Sequence, residues 1–83
     1  GQQPMIDASG RYVVAFNGEI WNFRHLRGEL QTLGFEFRTR SDTEVVLHGF
    51  AAWGSELPKR LDGQFALAAC DTRDATYLFA RDQ

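Results

Sequence analysis

Two stretches of this chain, RYVVAF at Arg11–Phe16 and QFALAAC at Gln64–Cys70, are apolar at nearly every position. A strand with one face in water alternates apolar and polar residues; a strand covered on both faces reads as a continuous apolar run. Both stretches therefore call for a layer on each side of the sheet they enter. The rest of the chain supplies one layer. In FRHLRGELQTL, Phe23, Leu26, Leu30 and Leu33 fall at spacings of three and four and form a single apolar stripe, with Gly34 placed to stop the helix. Ser41 and Glu44 make a capping box that opens a second helix carrying Val45, Val46, Phe50 and Trp53 and ending at Gly54. Two one-sided helices cover one face of a sheet, and nothing remains for the other. The expected class is α+β, in layers, with one layer missing.

The missing layer agrees with the length and the ends. Eighty-three residues make at most one small domain. The chain opens on Gly1-Gln2-Gln3 without an initiator Met or a signal-peptide pattern, and stops at Ala80-Arg81-Asp82-Gln83 directly after an apolar run. It reads as a piece of a longer polypeptide. A net charge of −2 provides no basic surface for nucleic acid or an anionic membrane. No apolar run approaches the roughly 20 residues that span a bilayer. Cys70 is the single cysteine, so an internal disulfide and a cysteine-based metal site are excluded, and no metal site is expected. A lone thiol fits a reducing compartment, and a cytoplasmic location is expected.

The pattern predicts the order β-α-β-α-(α)-β-β. Strands are expected near 12–16, 35–39 (FEFRT, which alternates), 64–70 and 77–80, and helices near 23–33 and 42–53, with a helical turn at ELPKRL. Residues 1–11 read as irregular. Asn17-Gly18, directly after an apolar run, is a strong hairpin signal, because a type I′ turn needs positive φ at both central residues. The return segment EIW is short for a hairpin partner, since Asn22 reads as the N-cap of the first helix.

Most polar residues have plain structural readings. Cys70 reads as a small core hydrophobe. His25 and His48 lie on different helices and read as surface or boundary residues. Arg38 and Arg40 read as a solvated strand face, and Arg24, Arg27 and Glu29 as a solvated helix face. Asp42, first after the capping Ser41, suits a helix N-terminus on electrostatic grounds alone. Against the plain turn at Asn17-Gly18 stands Glu19. An Asn amide, a Gly N–H and a carboxylate at one strand end could offer two donors to a developing oxyanion and one acceptor to a cation.

The motifs NGEIWN (Asn17–Asn22), RSDTE (Arg40–Glu44), LDGQFALAACD (Leu61–Asp71) and LFARD (Leu78–Asp82), with the opening GQQPM, resemble the glutaminase domain of class II glutamine amidotransferases, asparagine synthetase type. The resemblance runs in order through residues 1–83, so the chain is expected to be a partial domain of that kind. It implies the N-terminal-nucleophile hydrolase sandwich, an α/β/β/α arrangement of antiparallel sheets between helices, which supplies the missing cover. It also implies that an N-terminal Cys, with its own α-amine as base, attacks the side-chain amide of glutamine through a thioester. Asn17 and Gly18 match the oxyanion hole, Glu19 a residue that holds glutamine, and Asp42 the acceptor of the substrate's α-ammonium. The nucleophilic Cys and the family's carboxylate-binding Arg have no match here, so the chain alone is expected to be inactive. No cofactor is expected in this domain. ATP and Mg are expected in a synthetase domain elsewhere in the polypeptide, which is its expected partner, together with glutamine and a homodimer mate. An alternative from another class is a vestigial structural or docking module, as in β-lactam synthetase-like or peptide-cyclising relatives. A stand-alone binding domain fits the uncovered face poorly.

Overall fold

The computed structural model describes residues 4–82; Gly1–Gln3 of the GQQPM motif, and Gln83, lie outside the described residues. The strands are β1 (Met5–Ile6), β2 (Tyr12–Ile20), β3 (Gly63–Asp71) and β4 (Thr76–Arg81), and the helices are α1 (Phe23–Thr32), α2 (Asp42–Trp53) and the short α3 (Leu57–Arg60). The four strands form one antiparallel sheet in the order β1-β2-β3-β4. In the central ladder Val14 faces Ala69, Phe16 faces Leu67 and Gly18 faces Phe65.

One face of the sheet is covered. Val14, Phe16 and Ile20 on β2, with Phe65, Leu67 and Ala69 on β3, pack into one core with Leu26 and Leu30 of α1 and Val45, Val46 and Phe50 of α2. Helix α2 lies on β2, and α1 packs beside it against α2. Leu57 of α3 and Leu61 close the end of this core. A fully buried Leu or Val of this kind is stabilised by about 1.5–3 kcal/mol relative to exposure. The other face is open: Tyr77 and Phe79 of β4 are 68% and 75% exposed, and Ile6 and Trp21 stand out as well. Side chains alternate across a strand, so Val13, Ala15, Ala68 and Cys70 share that open face.

Both long helices fall where their stripes predict, and Gly34 takes the expected positive φ of 103° after α1. Leu33, the last member of the first stripe, is instead exposed beyond the helix end. Ser41 caps α2 by accepting from the Glu44 N–H.

Four expectations need correction. There is no hairpin at Asn17-Gly18: β2 runs straight through it to Ile20, paired with β3 throughout. Gly18 does carry a positive φ of 130°, but within the ladder, where a Cβ would run into the Gln64 carbonyl oxygen. Gly63, across the ladder, is crowded by the Glu19 carbonyl in the same way. FEFRT is not a strand. Its alternation arises because Phe35 and Phe37 both turn inward onto His48, with ring centroids 5.1 and 4.8 Å away. The N-terminal segment contains a short strand, β1, too brief to show a period. Cys70 lies half-buried on the open face, not among the helix-side core.

Candidate functional site

The C-terminal end of β2 is where the candidate residues gather. Asn17 and Glu19 alternate onto the open face with exposed side chains. Beside Asn17 the open face dips into a hollow of about 280 Å³ lined by Ala15, Phe16, Asn17, Ala66, Leu67 and Ala68. Alanines at three of those positions keep the floor low. Neither Glu19 nor Asp42 lines the hollow.

Asp42 reaches the same strand end from the other side. It is the first residue of α2, and its Oδ2 accepts a 2.9 Å hydrogen bond from the Ile20 N–H. That bond joins the helix start to the residue directly after Glu19. Among the described residues Oδ1 of Asp42 accepts no hydrogen bond, so one carboxylate oxygen remains available. The structure thus places Asp42 at the tip of β2, while Asn17 and Glu19 stand on its open face.

Neighbouring contacts hold the strand end rigid. Asn22 occupies the N-cap position of α1, but its side chain does not cap that helix. Its Nδ2 donates to the Arg60 carbonyl at 2.9 Å, and its Oδ1 accepts from the Asp62 N–H at 3.0 Å. The Trp21 N–H donates to the Asp62 carbonyl at 2.6 Å. The α3–β3 connection is therefore stitched to the turn between β2 and α1. On the far side of β3, the Phe65 N–H, opposite Gly18, donates to Asp82 Oδ1 at 2.7 Å.

The residues at this end divide by what the fold asks of them. Gly18 is dictated by backbone crowding against β3, and Asp42 is supported by its helix start and by Ile20. Asn17 and Glu19 are different: among the described residues neither side chain hydrogen-bonds or ion-pairs with anything. An exposed amide and an exposed carboxylate, held on a rigid strand end without internal partners, are free to meet a ligand.

Other polar groups serve elsewhere. Arg11 grips Asp71 at the β3 terminus with two 2.8 Å hydrogen bonds, which draw the Asp71 carboxyl from its ordinary 3.8 down to about 2. His25 is exposed and pairs with Glu29, whereas His48 is largely enclosed between the two phenylalanines. Among the described residues no three His, Cys, Asp or Glu side chains cluster as metal ligands, and no helix is long and apolar enough to cross a membrane. Glu44, which from sequence is only half of a capping box, turns out to be 4% exposed and fully engaged; its proximity to Asp42 was the available signal.

Comparison with known proteins concerns the chain as a whole. The family model for the glutamine amidotransferase domain matches residues 1–83. The glutamine-hydrolysing asparagine synthetase of Zea mays is 42% identical over 82 residues, which cover 99% of this chain and 14% of that protein. A second such synthetase, from Oryza sativa, is 40% identical over the same share of each. The chain thus spans about a seventh of the length of these relatives. Among solved structures, glutamine phosphoribosylpyrophosphate amidotransferase from B. subtilis superposes with a TM-score of 0.71 at 23% identity, covering 99% of this chain and 20% of that one. At that identity the likeness speaks for the fold, an N-terminal-nucleophile amidotransferase fold of antiparallel sheet and helices. With its whole length matched by the family model, this chain belongs to the glutamine amidotransferase domain family.

Proposed function

We propose that the polypeptide carrying this chain releases ammonia from the side-chain amide of glutamine and delivers it to an ATP-dependent, asparagine synthetase-like amide synthesis. The observation that carries the reading is the pair of unpartnered side chains, Asn17 and Glu19, flanking Gly18 on a rigid strand end. The asparagine synthetase relatives point the same way.

The resemblance supplies the roles, and chemistry says why these groups suit them. When a nucleophile adds to the glutamine amide carbon, charge builds on the carbonyl oxygen. Donors fixed before the reaction stabilise that charge without reorganising. The Asn17 amide and the Gly18 N–H are the proposed donors. Glu19 would hold glutamine at its polar end, and Asp42 would accept the α-ammonium through the oxygen not occupied by Ile20. Collapse of the tetrahedral intermediate expels ammonia and leaves a thioester, which water converts to glutamate. The thiol for this step is proposed to be an N-terminal Cys outside these 83 residues. Cys70 does not fit: it is mid-strand, opposite Val13 and Tyr77, and its nitrogen is a peptide N–H that cannot serve as base. ATP and Mg belong to the amide-forming half of the proposal.

A purely structural role gives Asn17 and Glu19 no task. The deciding test supplies glutamine to the full-length polypeptide and measures glutamate and ammonia. Stoichiometric release of both is expected; a rate no higher than that of heat-denatured protein would overturn the proposal.

A further inference from the structure

We infer that Glu44 is a positioning residue for recognition of the substrate ammonium, acting by fixing the start of α2 and hence Asp42. The inference rests on the role proposed for Asp42 above.

The Glu44 carboxylate is almost fully enclosed and accepts four hydrogen bonds. Oε1 takes the Thr39 N–H at 2.7 Å and the Thr39 hydroxyl at 2.8 Å. Oε2 takes the Arg38 N–H at 2.8 Å and His48 Nε2 at 3.1 Å. The Arg38 and Thr39 N–H groups can only donate, and the Thr39 hydroxyl and the Nε2–H tautomer of His48 complete a set of four donors that suits an ionised carboxylate, which presents acceptor positions and no proton. Burial by itself would raise its pKa, but the bonds from Arg38, Thr39 and His48 outweigh burial and lower it.

These bonds do work that a sheet does elsewhere. Residues 35–40 lie outside any strand and bend at Arg38–Thr39, and two of their N–H groups end on Glu44 instead of on a ladder. From Thr39 the restraint passes toward the helix start. The Thr39 Oγ1 accepts from the Ser41 N–H at 3.1 Å and shares a 2.9 Å bond with the Ser41 hydroxyl. The Ser41 Oγ in turn accepts from the Glu44 N–H. The loop closes on itself around Asp42 and Thr43, and the Asp42 carboxylate meets Ile20. His48, clamped between Phe35 and Phe37, braces the same carboxylate from one helical turn further on.

Glu44→Gln tests this with little change in volume. A carboxamide offers one acceptor oxygen and turns an NH2 toward donors, so part of the set is left unmatched. The first turn of α2 should loosen while the β2–β3 ladder that carries Asn17 and Gly18 stays. Ammonium binding is common to ground and transition states, so its weakening raises KM and spares kcat. In the full-length polypeptide, Glu44→Gln should raise the KM for glutamine roughly tenfold and leave kcat within about twofold. A variant that merely weakens the core, Val46→Ala, should leave KM at the parental value. Thr39→Val, at an exposed position, removes only the hydroxyl links and should shift KM the same way by about two- to threefold, which keeps the inference testable if Glu44→Gln folds poorly. Mass-spectrometric hydrogen exchange over the peptide containing Ile20 should accelerate in both variants, independently of activity. Parental KM together with parental exchange in Thr39→Val and Glu44→Gln would overturn the inference. Accelerated exchange with unchanged KM would uphold the restraint on Asp42 but overturn the proposed role of Asp42 in binding.

Discussion

The two faces of this sheet are both apolar and have opposite fates. The helix side buries large side chains: Val14, Phe16, Ile20, Phe65 and Leu67 are each less than a tenth exposed. The open side carries small residues at its centre, Ala15, Ala66 and Ala68, and aromatic residues at its β4 edge, Tyr77 and Phe79. Small central residues leave room for another layer to approach closely. The candidate polar residues Asn17 and Glu19 project from the same open side. One face therefore holds the fold together, and the other stands open among the described residues.

Mutations at the boundary between the faces should be the most damaging. Gly18→Ala would drive a Cβ into the Gln64 carbonyl and force a non-glycine residue to a φ of 130°. Backbone strain and overpacking together should cost on the order of 3–5 kcal/mol, read as a lowered denaturation midpoint of the full-length polypeptide. A loss below about 1 kcal/mol would mean that the close approach of β2 to β3 is not the reason for glycine there. Next, Leu30→Ala, at a side chain with no exposure, should cost about 2–5 kcal/mol wherever it is measured. Tyr77→Ala should depend on context. In the 83-residue chain alone it should change stability by less than about 0.5 kcal/mol; in the full-length polypeptide, with the face covered, it should approach about 3 kcal/mol. Equal small effects in both would contradict a covering layer over β4.

Acid should weaken the β3 terminus. The bonds from Arg11 hold the folded Asp71 carboxyl at about 2, below its ordinary 3.8. A depressed folded pKa stabilises above the unfolded value and loses that contribution as pH falls through the folded one. Stability should thus decline between about pH 4 and pH 2, with Glu44, also lowered from its ordinary 4.5, contributing to the same fall. Asp71→Asn should flatten part of the decline in urea midpoints measured against pH. An unchanged slope would show that the Arg11 pair is not coupled to folding.

The helices were legible because their signals are local: the Phe23-Leu26-Leu30 stripe, the Ser41 cap and Gly34. The errors arose where a local pattern has two physical causes. Asn-Gly serves a type I′ turn, yet positive φ at Gly18 also serves a close approach of β2 to β3, and only the position of β3 separates the two. The alternation of Phe35 and Phe37 suits a strand, yet here it wraps an imidazole while Glu44 replaces the missing ladder. Asn22 sits at a helix start, yet its amide answers residues 60–62, nearly forty positions away. The candidate site was legible only through resemblance. Asn17, Gly18, Glu19 and Asp42 each have a plain local reading, and their proximity depends on the Asp42–Ile20 contact between separate elements.

The smallest expected effect on stability belongs to Asn17, the residue with the largest proposed effect on turnover. The Asn17 side chain is exposed and makes no hydrogen bond within the described residues, so Asn17→Ala should alter folding by less than about 0.5 kcal/mol. As the proposed oxyanion donor it would stabilise charge that exists mainly in the transition state, so its loss should lower kcat and leave KM for glutamine nearly unchanged. Removing one such donor typically costs on the order of 10²–10³ in rate. The decisive measurement is glutamine-dependent and ammonia-dependent turnover, side by side, on full-length Asn17→Ala. The account predicts a loss of that size with glutamine and parental turnover with free ammonia. Glutamine hydrolysis at the parental rate would contradict it.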